Sequence, residues 1–120
     1  MTGAGRGKAD RVGHTAAADA VIHAVEVLDR EVGRVVAAAE ECGYSVLITA
    51  DHGNVEQMMD PASGQVHTAH TTNPVPLILV DPDRTHIRSG VLGDVAPTLL
   101  DILGITPPEA MTRKSLLRDA

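Results

Sequence analysis

From Ala16 to Cys42 apolar side chains recur at steps of three and four: Val21, Ala24, Val25, Leu28, Val32, Val35, Val36 and Ala39 lie on one stripe. That period predicts a long helix with one apolar face. Gly43 stands where such a helix ends most easily, because glycine takes the left-handed backbone of the C′ position at no steric cost. The chain then passes into SVLITA, Ser45 to Ala50, a short apolar run. A helix followed so closely by a run of this kind predicts an α/β unit with a buried, parallel strand.

Composition narrows what fills the core. Of the 120 residues 43% are apolar, yet Tyr44 is the single aromatic. The core must therefore be built from Ala, Val, Leu and Ile, which favours helices on strands over an aromatic-rich sandwich. The length suits one domain. A net charge of −6, with acids spread along the chain, disfavours a nucleic-acid partner, whose binding depends on clustered Lys and Arg. It suits a metal cation better. No apolar stretch approaches the roughly 20 residues of a membrane span, and Cys42, the lone cysteine, forms no internal disulfide. The expected compartment is the cytoplasm, with Cys42 expected as a small core residue.

The remaining segments fit the same plan. Residues 1–9, MTGAGRGKA, are glycine-rich and without apolar periodicity, which predicts a flexible start. GAGRGK lacks the Ser or Thr of a phosphate-binding loop and follows no strand. PLILV, Pro76 to Val80, reads as a second strand, entered in extended form through Asn73-Pro74-Val75-Pro76. A last helix, VAPTLLDILG, has Val95, Leu99, Leu100, Ile102 and Leu103 expected to face a core, with Asp94 as N-cap. The tail PPEAMTRKSLLRDA is expected as a turn or short helix, and His23 as a surface residue.

Three pairs of possible metal ligands stand out: Asp10 with His14, Asp51 with His52, and His67 with His70. Carboxylates and imidazoles suit Mn²⁺ or Zn²⁺, and the lack of paired cysteines disfavours a purely structural zinc site. Asp10 and His14 share a face if a helical turn carries them, although Gly13 allows a loop equally well. Each pair alone is common in solvated loops. Their value is joint, since Asp51 and His52 follow one apolar run at its carboxyl end, where open α/β sheets place ligand sites, and the His67–His70 loop leads into the other.

The strings ITADHGNVEQMMDPASGQVHTAHTTNPVPLILV, ADRVGHTA and LGDVAPTLLDILGI, with MTRKSLL near the end, together resemble the C-terminal part of the cofactor-independent phosphoglycerate mutases of the alkaline phosphatase superfamily. The resemblance runs from about Ala9 to Leu117. It implies a single partial domain over 1–120, the C-terminal part of the phosphatase-like metal-binding domain: an α/β fold, part of a doubly wound sheet with flanking helices. The family interconverts 3-phosphoglycerate and 2-phosphoglycerate through a phosphoserine, using two Mn²⁺ or other divalent ions. By that resemblance Asp10, His14 and His70 hold one ion, and Asp51 and His52 contribute to the other. His67 is the alternative to His70, or a group beside the ligands or on the substrate side. A metal pair about 4 Å apart neutralises phosphoryl oxygens and activates a serine hydroxyl.

The family's nucleophilic serine, a further metal-binding aspartate and the substrate-gripping domain lie N-terminal to the matched region. Ser45, Ser63, Ser89 and Ser115 match no nucleophile motif, so no catalytic serine is assigned here. Three readings follow: part of such a mutase, inactive alone; one half of an enzyme completed by a partner chain, such as the N-terminal portion; or a non-catalytic metal-binding or interaction domain of the same fold. In the first two the substrate is phosphoglycerate.

Overall fold

A computed structural model describes the backbone of residues 6–67 and 69–118, and side chains from Ala17 onward. The elements are helix α1 (Arg6–Glu41), strands β1 (Val46–Thr49) and β2 (Leu77–Val80), a 3-10 turn at Leu92–Asp94 and helix α2 (Val95–Ile102). They form two compact units, one from the stretch ending at Val35 with His52–Pro74, the other from Val36–Asp51 with Val75 onward. Among the described residues no helix is long and apolar enough to cross a membrane.

Helix α1 starts at Arg6, well before the expected Ala16, so Arg6–Ala9 of the segment expected to be flexible is helical; residues 1–5 lie outside the described residues. The helix runs through Gly13 and Gly33, each of which costs about 1 kcal/mol relative to alanine in a helix interior. Its apolar stripe is only half covered. Val21, Val32, Val36 and Ala39 are half-buried, whereas Val25 and Leu28 are exposed, Leu28 at 62%. His23 is exposed as expected, 4.0 Å from Glu26 one turn on.

The helix ends as its glycine predicts. Gly43 has φ 76°, the Tyr44 N–H donates to Ala39 O and the Gly43 N–H to Glu40 O, both at 2.9 Å. That pair of bonds is a Schellman motif, which satisfies two of the last helical carbonyls. Cys42, just before this turn, is exposed. The expectation of a core cysteine fails because the stripe that Cys42 continues is itself only half covered, with Leu28 and Val35 exposed.

Both strands form where the apolar runs predict, but they pair antiparallel, with Val46 opposite Val80 and Thr49 opposite Leu77. The parallel expectation is overturned by the connection, since the described residues of 50–76 contain no helix and a parallel pair needs a crossover. Side chains tie both ends of the ladder. The Ser45 hydroxyl donates to Asp81 Oδ2 at 2.5 Å, and Thr49 Oγ1 donates to Pro76 O at 2.9 Å. The strands are half-buried rather than buried, with Ile78 50% exposed.

The tightest packing lies around α2. Thr98 is wholly buried, with Pro97 and Leu116 beside it among the most enclosed residues. Thr98 Oγ1 donates to Asp94 O at 2.6 Å and accepts the Leu116 N–H at 2.9 Å. The face buried on α2 is therefore Pro97 and Thr98, and the expected Leu99 and Leu103 are exposed, Leu103 at 68%. Asp94 does occupy the N-cap position, but in a helical backbone conformation that makes no side-chain cap. Its carboxylate instead accepts the Val91 N–H at 2.9 Å. That bond, then the Lys114 amide and the charges of Arg113 and Arg88, hold its carboxyl below the ordinary range against the opposing effect of burial.

The tail is a turn followed by an extended segment, not a helix. The Met111 N–H donates to Pro108 O at 2.9 Å, and further on the Arg88 N–H donates to Leu116 O at 2.8 Å and the Arg118 N–H to His86 O at 3.0 Å. These bonds make an antiparallel bridge between Ile87 and Leu117, which sets Leu116 against Thr98.

Candidate metal centre

Strand β1 ends at Thr49, and Asp51 stands exposed two residues beyond it. His52 opens a loop that folds back through two isolated antiparallel bridges, Gly53 with Thr71 and Met59 with Val66. The outer bridge closes a tight hairpin. The Asp60 N–H donates to Gln65 O and the Gly64 N–H to Asp60 O, both at 2.8 Å. The Asp60 carboxylate accepts the Ala62 N–H at 2.7 Å and the Ser63 N–H at 3.3 Å, the local Asx bonding that aspartate supplies in turns. These bonds, the Ala62 amide foremost, hold its carboxyl below the ordinary value.

The inner bridge brings two of the candidate ligands together. The imidazoles of His52 and His70 stack with centroids 3.6 Å apart and planes at 14°. His52 Nδ1 lies 3.1 Å from Gly53 O, a contact that the Nδ1–H tautomer satisfies by donating. That tautomer leaves the lone pair on Nε2, and a backbone carbonyl behind the other nitrogen is the usual support of a metal-binding histidine. The donor chemistry therefore fits a divalent ion.

His67 is held elsewhere. Its backbone N–H donates to Met58 O at 2.9 Å, and its Nε2 is buried with no hydrogen-bond partner among the described residues. Asp10 and His14 fall one helical turn apart on α1, so the backbone chooses the helix over the loop that Gly13 also allowed; their side chains lie outside the described residues. Among the described residues no group of three His, Cys, Asp or Glu side chains is arranged to hold an ion. Of the expected ligands, His52 and His70 are brought together as a ring stack.

Three polar residues that the sequence reading did not single out fasten this region. Glu56 Oε1 accepts the Thr71 hydroxyl and, at 3.1 Å, Asn73 Nδ2. Its Oε2 accepts the Asn54 N–H at 2.6 Å. The Thr71 hydroxyl, ahead of the backbone amides and Asn73, lowers the Glu56 pKa from 4.5 to about 2. No periodicity marks these residues. The available signal was their position, with Glu56 shortly after His52 and Thr71 and Asn73 shortly after His70.

The sequence profile of the metalloenzyme superfamily matches residues 7–107. The chain belongs to the metalloenzyme superfamily. It is 61% identical over 110 residues to a 2,3-bisphosphoglycerate-independent phosphoglycerate mutase of Syntrophotalea carbinolica, a match covering 90% of this chain and 21% of that relative. A protein of the same description from Pseudomonas putida is 56% identical over 112 residues, 92% of this chain and 22% of the relative. One from Colwellia psychrerythraea is 51% identical over 109 residues. This superfamily member therefore spans about a fifth of the length of these curated relatives. Its described architecture is mixed α/β.

Proposed function

We propose that this chain is the C-terminal, metal-binding part of a phosphoglycerate mutase that interconverts 3-phosphoglycerate and 2-phosphoglycerate through a phosphoserine. The observation that carries the reading is the 61% identity to such a mutase across 90% of the chain. The stacked His52 and His70 rings support it, because adjacent imidazoles suit a site in which neighbouring ions take one each. In this reading residues 1–120 are one partial domain, and β1 and β2 belong to the doubly wound sheet of the whole enzyme, which works in the cytoplasm.

Asp10, His14 and His70 would hold one divalent ion, Mn²⁺ by resemblance, and Asp51 and His52 would contribute to the second. Such ions, when bound, neutralise phosphoryl oxygens and activate the serine hydroxyl. The chain's own contribution is to orient the imidazoles, as the Gly53 carbonyl does at His52 Nδ1. His67, whose buried Nε2 is directed at no protein acceptor or donor among the described residues, is assigned beside the ligands. The serine and the groups that grip the glycerate come from the remainder of the enzyme, so the chain alone is inactive.

Mn²⁺ titration followed by the histidine ring resonances tests this. Selective paramagnetic broadening of His14, His52 and His70 is expected, with Asp10→Ala weakening uptake. Uniform weak broadening of all histidines, His23 included, would remove the reading.

A further inference from the structure

His52 and His70 stand at the two ends of one folded-back loop, and a ring stack at 3.6 Å requires their mutual rotation to be set closely. The Gly53–Thr71 bridge supplies a main-chain bond, Thr71 N–H to Gly53 O at 2.9 Å. One such bond acts as a hinge. We propose that Glu56 is the positioning residue of the His52–His70 pair, acting through Thr71 and Asn73 without touching a ligand. The proposal rests on the metal-site reading for its consequence, though its geometry stands apart from any ion.

Glu56 is placed to do what the bridge cannot. Its carboxylate receives Asn54 from the His52 side on one oxygen, and Thr71 and Asn73 from the His70 side on the other. Thr71 follows His70 directly, and Asn54 lies two residues after His52. A single rigid group thus joins both segments, and converts the hinge into a two-point attachment. An ionised carboxylate suits this position because, being acceptor-only, it takes a hydrogen bond from all three partners at once.

Gly53 belongs to the same device. It is buried, and a Cβ there would collide with Thr71 Oγ1 and Glu56 Oε1. The clamp closes only because that position has no side chain. Threonine at 71 also supplies the hydroxyl without excess bulk, and the Asn73 N–H reaches that hydroxyl at 3.4 Å.

The test uses the whole 120-residue chain, labelled at its histidines, first without metal. Stacked imidazoles shift each other's ring C–H resonances upfield. Glu56→Ala and Thr71→Val are expected to abolish that shift, Thr71→Ser to keep it, and the double variant Glu56→Ala with Thr71→Val to show no further change. The backbone amide of His67, held by Met58 O in the same unit, serves as the reporter of intact folding. Should Glu56→Ala fail that check, the Thr71→Val and Thr71→Ser pair decides, since it removes or restores one hydroxyl. Mn²⁺ added alone is then expected to broaden His52 and His70 at a concentration roughly 10- to 100-fold higher in Thr71→Val than in the parent, the usual cost of losing a group that orients a ligand. Ring shifts that persist in a folded Glu56→Ala or Thr71→Val chain would overturn the proposal. Absence of Mn²⁺ broadening in the parent would instead remove the metal reading, with the clamp still judged by the ring shifts.

Discussion

Replacing Thr98 by valine isolates one buried polar junction with almost no change of shape. Thr98 has no exposed surface and Leu116 only 1%, and the two are joined through the Thr98 hydroxyl, which also donates to Asp94 O. Valine removes both bonds and strands the Leu116 N–H away from water. An unsatisfied buried donor costs about 1–3 kcal/mol, and the lost bond to Asp94 O about 1 kcal/mol more. The methyl that replaces the hydroxyl returns up to about 0.8 kcal/mol through burial. The net destabilisation is about 2 kcal/mol. Serine keeps both bonds and loses one methyl, at about 1 kcal/mol. Urea unfolding should lower the midpoint of Thr98→Val by roughly 1 M, given slopes of about 1–3 kcal/mol per M. Hydrogen exchange gives the sharper readout, because Leu116 amide protection should fall by about 30-fold in the valine variant and much less in the serine one. If Thr98→Val is as stable as the parent and Leu116 remains equally protected, the hydroxyl is not the junction between α2 and the tail.

Two further outcomes follow from particular residues. Glu56 is deprotonated in the folded chain down to about pH 2, against an ordinary value of 4.5, and Asp60, Asp81 and Asp94 are lowered in the same direction. Each depressed acid contributes stability that is fully present above its unfolded pKa and is lost as pH falls toward the folded one. Acid titration should therefore erode stability from about pH 4.5 downward, and Glu56→Gln should flatten the Glu56 part of that dependence; a folded fraction that rises on acidification contradicts the assignment. Gly43→Ala meets no neighbouring atom but must hold φ 76°, so its expected cost is purely conformational, about 1–2 kcal/mol, in thermal or urea unfolding. Gly43→Asn should lose less, since asparagine visits that region more readily.

The sequence determined where the elements lie more than how they associate. The stripe ending at Gly43, the SVLITA and PLILV runs and the helix after Asp94 are local patterns, governed by periodicity and by glycine's backbone freedom, and all four appear as elements. In the candidate site, His52 and His70 lie within strings that single them out before any contact is known, and the fold stacks their rings. Tertiary structure decided the rest. The two strands run antiparallel because no helix separates them. α2 turns Thr98 rather than Leu99 inward because Leu116 supplies an amide that needs an acceptor. The Glu56 clamp exists because a distant threonine and asparagine arrive as donors. Periodicity reports which side of an element is apolar, whereas register, direction and hydrogen-bond pairing depend on which distant residues reach it.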